Sequence, residues 1–271
     1  MPLGKAVVMG ILNVTPDSFS DGGAYTGVDA ALKRAEVLIN EGAAILDIGG
    51  ESTRPKSGRI TEQEEIQRVI PIVEAIASRF DIPISVDTTR GTVAHRSLEA
   101  GAEIVNDISA LRFDEDLAGV VGRAGAGLVL MHSLGDFETM HRQPPVDDIL
   151  AEETAYFSRA VEIAVEHGIG REQIVLDVGI GFSKSLEQNL ELLAKIDKIS
   201  LSFLEFPLLA GTSRKSFIGR VSGEESPVER LGGSVASAAI AVWNGAKIVR
   251  AHEVKETVQA LAVVEAIRDQ I

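Results

Sequence analysis

Apolar residues fall along this chain in two alternating rhythms: short runs dense in Val, Ile and Leu, and longer stretches with helical spacing. The short runs, at 7–14, 43–48, 82–86, 103–108, 127–131, 174–178, 207–211 and 246–249, read as buried strands. The longer ones, at 28–40, 62–79, 92–100, 117–123, 149–167, 186–195, 228–243 and 256–267, read as helices. Eight strand-to-helix alternations without a Pro/Ser linker or a composition break predict an α/β chain, a single (β/α)8 TIM barrel domain over residues 1–271. Gly-Ala pairs ahead of several strands (Gly42-Ala43, Gly101-Ala102, Gly125-Ala126, Gly245-Ala246) fit helix C-caps followed by tight entry into the barrel.

Polar residues cluster where the apolar runs end: Asn13; Glu51-Ser52-Thr53-Arg54; Asp87; Asn106-Asp107; His132; Asp177; Thr212-Ser213-Arg214-Lys215-Ser216; and Arg250-Ala251-His252. In such a barrel the C-terminal strand ends converge on one face, where active sites are built. Strand-to-helix loops need Asx and Ser/Thr caps, which account for part of this set. They do not account for Arg54, Lys215 and Arg250 arriving at the same rim. After the first strand, Asn13 and Asp17 are hard oxygen donors of the kind Mg²⁺ prefers, and Ser18, Ser20 and Gly22-Gly23 suit a loop that closes over a ligand. The plainer alternative there is a simple connection with a helix cap near Gly27 or Asp29.

Composition narrows the partners. The 271 residues, 45% hydrophobic, suffice for a large core. Lys+Arg 26 against Asp+Glu 40 leaves a net charge of −14, which argues against nucleic acid and anionic membrane surfaces as partners. An anionic ligand must therefore be held by a local group of cations. With no cysteine, disulfides, thiolate metal sites and thiol nucleophiles are excluded, and a reducing compartment is permitted. No stretch has the length of a membrane span or the layout of a signal peptide. The five histidines (His95, His132, His141, His167, His252) lack the spacing of a zinc site.

Three groups carry candidate chemistry. Thr212-Ser213-Arg214-Lys215-Ser216 opens a helix, where a carboxylate can dock on the Ser216 hydroxyl and nearby amides while Lys215 lies across a planar heterocycle. Arg250 with its bidentate fork, and His252 beside it, suit a phosphate or diphosphate. Asp87, Asn106 and Asp177 end strands near the barrel axis and need partners, such as the adjacent N–H and C=O groups of a fused aminopyrimidinone. Internal pairing, Asp87 with Arg90 or Asp177 with Lys184, is the alternative. Trp243 and the apolar stripe at 235–242 serve either core or subunit packing.

Together these residues resemble the dihydropteroate synthase family of the pterin-binding barrels. The resemblance rests on 10–21, 46–55, 85–88, Asn106-Asp107-Ile108, Asp177 with Gly179-Ile180-Gly181-Phe182, 211–216 and Arg250-Ala251-His252, in the family's order. It implies a folate-pathway transferase that joins 4-aminobenzoate to a dihydropterin-6-ylmethyl diphosphate, by ionisation of the pterin–diphosphate bond and then attack by the arylamine. It further implies that Asp87, Asn106, Met131, Asp177, Phe182 and Lys215 bind the pterin, and that Asn13, Arg250 and His252 take the diphosphate with Mg²⁺ on Asn13. Phe19, Thr53, Arg54, Pro55 and Ser216 would form the 4-aminobenzoate pocket, and Asp87, Lys215 and Arg250 would carry the catalysis. A cytoplasmic homodimer, paired through helices of the C-terminal half, and a sulfonamide target are further expectations. Two segments depart from the family pattern. His132-Ser133-Leu134-Gly135-Asp136-Phe137 stands where His-Met-x-Gly-x-Pro is common, and Asp177-Val178-Gly179-Ile180-Gly181-Phe182-Ser183-Lys184 replaces a Pro by Val178 and a Gly by Ser183. A non-catalytic pterin-binding relative and a methyltetrahydrofolate-dependent methyltransferase are the rival readings. The methyltransferase should lack the Thr-Ser-Arg-Lys-Ser and Ser-Thr-Arg-Pro segments.

Overall fold

A computed structural model of the protein describes residues 4–15, 24–52 and 58–270, without the side chains of residues 24–26. Its strands are β1 (Val7–Asn13), β2 (Ile45–Gly49), β3 (Ile84–Asp87), β4 (Ile104–Asp107), β5 (Gly127–Met131), β6 (Ile174–Asp177), β7 (Leu208–Ala210) and β8 (Ile248–Ala251). Each pairs in parallel with the next, and β8 returns to β1, so the sheet closes into a barrel in chain order. The (β/α)8 expectation therefore holds, with strand positions displaced by a few residues at most.

The helices are α1 (Ala24–Asn40), α2 (Glu62–Arg79), α3 (Gly91–Glu99), α4 (Leu117–Ala124), α5 (Ile149–Glu166), α6 (Leu186–Ala194), α7 (Ile196–Ser202), α8 (Ser216–Ser222), α9 (Leu231–Trp243) and α10 (Val254–Arg268). Local chemistry sets several starts. Thr61 and Glu64 form a capping box on α2 above an acidic first turn, and Ser185 with Gln188 does the same for α6. The Gly-Ala pairs act as expected, with positive φ at Gly42, Gly101, Gly125 and Gly245. α7 is additional to the expectation from sequence: only Lys195 separates it from α6, and no Gly or Pro marks the break. Among the described residues no helix is long and apolar enough to cross a membrane.

Inside the barrel, polarity is layered. Met9, Ile45, Val129, Leu209 and Ile248 form a buried apolar layer. Two residues further along their strands stand Asp47, Met131 and Arg250, while Asn106 and Asp177 stand two beyond Ile104 and Val175. Because side chains alternate along a strand, each pair shares the inward face, so the interior passes from apolar to polar toward the strand C-termini. A cavity of about 1070 Å³ opens at the apolar end, bounded by Met9, Ile45 and Ile248 and by Leu98 and Val120 of α3 and α4. It lies away from every charged strand tip, so the chemistry belongs to the other end. On the outside, α9 divides its apolar stripe: Ala238, Ala241 and Val242 are buried, whereas Ile240 and Trp243 are about half exposed. Val263 and Ile267 of the adjacent α10 are exposed as well.

Candidate active site

Arg250 organises the centre of the polar end. Its Nε donates to Asp47 Oδ2 at 2.6 Å and its NH2 to Asp87 Oδ2 at 2.8 Å, while NH1 takes part in neither pair. Asp47 also accepts from Ser85 Oγ at 2.6 Å and from Asn106 Nδ2 at 3.1 Å, which makes it a fully buried hub. Burial pushes the Asp87 carboxyl up to about 7 despite the Arg250 guanidinium beside it, with Asp47, Glu65 and Asp107 adding to the rise. Burial works against the charge on Arg250, but Asp47 and Asp87 outweigh it and hold the guanidinium above its ordinary range. Asn106 Oδ1 is buried and, among the described residues, has no hydrogen-bond partner. Such an acceptor calls for a donor from outside the chain.

Gly49, at the tip of β2, leaves room between two of these groups. A Cβ there would lie 3.8 Å from Asn13 Oδ1 and 3.7 Å from Asp87 Oδ2. The alternative pairing of Asp87 with Arg90 is not found; the partner of Asp87 is Arg250. Arg90 NH1 meets Glu65 at 2.6 Å, and its NH2 meets Glu51 at 3.4 Å and the Ile60 carbonyl at 2.5 Å. Since Glu51 Oε1 also accepts from Ile60 N at 2.7 Å, Arg90 clasps both stems of segment 53–57. Thr53, Arg54 and Pro55 within it, and Phe19 and Asp17 after β1, lie outside the described residues.

The β6–α6 segment forms the next wall. Asp177 ends β6, and its Oδ1 accepts from Gly179 N at 2.8 Å; burial raises its pKa, opposed by that bond and by Lys215, Arg250 and Lys184. Gly179 has φ +59, and a Cβ there would sit 2.1 Å from the His132 carbonyl oxygen, so only glycine fits. Gly181, at φ +86, lets Lys215 lie against the loop. Lys215 Nζ donates to the Ile180 carbonyl at 2.7 Å and sits 4.2 Å from the centre of the Phe182 ring. Burial pulls this ammonium down to about 7, partly offset by Asp177. Phe182 and Met131 pack in one buried cluster with Ile108, Phe137 and Met140. The divergent strand-5 loop thus backs the same wall, and Ser183, the second departure, stitches it: its hydroxyl bonds Leu134 N, Leu134 O and Met140 O at 2.8, 3.0 and 2.7 Å.

The β7 and β8 tips divide their cations. Arg214, at φ +59, turns its Nε to Glu253 at 2.6 Å, so it is spent on an ion pair while Lys215 faces the pocket. Ser213 Oγ lies 2.9 Å from His252 Nδ1 and donates to Glu253 at 3.0 Å. Ser216 opens α8 and is exposed on the rim. Asp107 and His132, also strand-tip residues, turn away from the pocket. Asp107 caps the turn after β4 through Ser109 N and Leu111 N, and His132 is buried behind the β6–α6 segment. The structure therefore brings Asn13, Asp87, Asn106, Met131, Asp177, Phe182, Lys215, Ser216, Arg250 and His252 to one end of the barrel. Sequence reasoning missed Asp47, whose signal was a single acid inside the apolar run of β2. It also missed Phe137 and Met140, for which a loop without periodicity gave no signal.

The chain as a whole is similar to known proteins. The chain matches the pterin binding enzyme family over residues 9–252. It is 48% identical over 259 residues to the dihydropteroate synthase of Escherichia coli strain K12, covering 96% of this chain and 90% of that one. The Yersinia pestis dihydropteroate synthase solved with a sulfonamide drug superposes with a TM-score of 0.92 at 44% identity, covering 100% of this chain and 97% of that one. The Xanthomonas albilineans dihydropteroate synthase solved with 4-aminobenzoic acid also gives 0.92, at 41% identity and coverages of 98% and 94%.

Proposed function

We infer, since the chain belongs to the dihydropteroate synthase family of pterin-binding enzymes, that it catalyses the dihydropteroate synthase step of folate biosynthesis. It condenses (7,8-dihydropterin-6-yl)methyl diphosphate with 4-aminobenzoate and releases 7,8-dihydropteroate and diphosphate. The observation that carries the assignment of the site is the unpartnered Asn106 Oδ1 among the acids Asp87 and Asp177. The aminopyrimidinone edge of a pterin presents N–H groups to these acceptors, including the donor that Asn106 Oδ1 lacks, and Lys215 donates to its acceptor atoms. Met131 and Phe182 hold its faces.

Arg250 and His252 take the diphosphate. Asn13 Oδ1, which a Cβ at Gly49 would meet at 3.8 Å, is a neutral hard oxygen that would hold Mg²⁺, and the ion would supply positive charge beside the leaving group. Arg250 neutralises the charge that builds on the diphosphate as the carbon–oxygen bond breaks and its electron pair leaves with the oxygen. Asp87, close to the ring, stabilises the cation left on the pterin methylene. The arylamine nitrogen then bonds to that carbon and loses a proton. Phe19, Thr53, Arg54, Pro55 and Ser216 hold 4-aminobenzoate, and a sulfonamide competes for the same place. The protein works in the cytoplasm as a homodimer, joined through the exposed apolar residues of α9 and α10.

A coupling assay tests the activity: purified protein, Mg²⁺, the pterin diphosphate and 4-aminobenzoate, with dihydropteroate followed by chromatography. Product formation that sulfonamide inhibits supports the assignment. Tight pterin binding without product marks a non-catalytic relative.

A further inference from the structure

Behind the pocket lies a set of buried charged groups that the reaction above does not use. Lys184 leaves the β6–α6 segment and folds back beneath it. Its Nζ lies 3.0 Å from the Gly179 carbonyl, 3.2 Å from that of Phe182, 3.3 Å from that of His132 and 2.8 Å from His132 Nδ1. Glu153 of α5 approaches from the far side, with Oε1 3.6 Å from Lys184 Nζ and 3.7 Å from His132 Nδ1, and all three side chains are sealed from solvent. The same segment is held from the pocket side by Lys215 on the Ile180 carbonyl and from α6 by Asn189 on Gly181 N. Burying an ammonium and a carboxylate together is costly unless the geometry gives something in return. Here the return is a fixed path for residues 179–183, the segment that braces Asp177 and carries Phe182.

We propose that Glu153 and Lys184 are positioning residues for the reaction: together they hold the β6–α6 segment so that Asp177 and Phe182 are preformed for the pterin. The proposal rests on the assignment of the pterin to Asp177 and Phe182. Burial brings the His132 imidazole down to about 2, so the ring is neutral and Nδ1 accepts from the Lys184 ammonium. Burial also pushes the Glu153 carboxyl up to about 8, opposed by Lys184 and reinforced by Asp177. Burial likewise pulls the Lys184 ammonium down, opposed by Glu153 and Asp177, so the two side chains titrate as a pair and Glu153 gains its anionic form only as pH rises. The charged and titratable groups around Glu153 are Lys184, His132, Asp177, Tyr156 on its own helix, and Arg112, which bonds Tyr156 from the segment after β4.

The test is calorimetric titration of 6-hydroxymethylpterin diphosphate into wild type, Lys184→Met, Glu153→Gln and Asp177→Asn, together with steady-state kinetics. Lys184→Met is expected to weaken pterin binding about tenfold or more while the KM for 4-aminobenzoate stays within about twofold, since misplacement of a binding group by an ångström is that expensive. Glu153→Gln keeps shape and volume, weakens binding less, and removes the component of the alkaline fall that titrates near 8, leaving the Lys215 component near 7 in place. If Asp177→Asn leaves pterin affinity unchanged, the pterin assignment itself is wrong. If Asp177→Asn weakens binding and the other two variants match wild type in affinity and pH profile, the positioning role is overturned. Should Lys184→Met fail to fold, Glu153→Gln decides alone, by those same two readouts.

Discussion

Two groups in the pocket have been drawn toward the same pH from opposite sides. Burial lowers Lys215 to about 7 and raises Asp87 to about 7, each against the pull of an opposite charge nearby. A lysine with a depressed pKa loses its charge as pH rises through that value, and an aspartate with a raised one loses its charge as pH falls through it. Charged forms of both are the competent ones, so kcat/KM for the pterin substrate should be bell-shaped around neutrality. Lys215→Met should remove the part of the alkaline limb that titrates near 7 and cost about 100-fold in kcat, and Asp87→Asn should remove the acid limb. For unfolding, the sign follows from linkage. The Lys215 penalty is fully present below about 7 and is relieved as pH rises toward 10.5, whereas the Asp87 penalty is absent below 3.8 and fully present above about 7. Ser183 is a second residue under opposing demands, held at φ +54 in a region that L residues avoid, but its hydroxyl accepts from Leu134 N and shares its one hydrogen between the Leu134 and Met140 carbonyls. Ser183→Ala keeps the strain and loses the bonds, and should lower stability by about 1–2 kcal/mol. Ser183→Gly also relieves the strain and should cost less, a ranking that denaturant midpoints will check.

At the scale of elements, the two departures from the family pattern turn out to be one. The loop after β5 and the Ser183 turn touch each other, and together they present Phe137, Met140 and Phe182 as a single apolar wall. The eight strands were legible because β-branched runs buried on both faces leave a strong pattern, and α2 and α5 because they are long and capped. α7 was not legible, since it continues α6 across one residue. The site was partly legible. Strand-tip residues such as Asp87, Asn106 and Asp177 announce themselves as polar ends of apolar runs, but whether Arg90 pairs with Asp87 or with Glu65 depends on contacts between segments far apart in sequence. The stripe on α9 likewise needed coordinates before its buried Ala241 and exposed Ile240 could be told apart. Ile240→Glu tests the proposed dimer: it should shift sedimentation velocity from dimer to monomer while leaving the barrel folded, since charge on an exposed apolar patch opposes its burial in a partner.

Over the whole molecule, the net charge of −14 sets a field that repels both anionic substrates, and the strand-tip cations oppose it locally. The second-order rate constant for 4-aminobenzoate should therefore rise, by about twofold, as ionic strength goes from about 0.01 to about 0.15 M and the Debye length shrinks. A fall would mean that the mouth of the pocket is attractive despite the overall charge. The barrel divides its labour between ends: the aliphatic layer of Met9, Ile45 and Ile248 lines one, and the other is given over to paired acids and bases. Arg250, already engaged by Asp47 and Asp87, has a consequence for selectivity in a cell rich in free phosphate. A small anion arriving alone must compete with two resident carboxylates, and it gains little. In the proposed binding mode, a diphosphate tethered to a ring held by Asp177 and Lys215 arrives at high effective concentration, and so wins the same exchange.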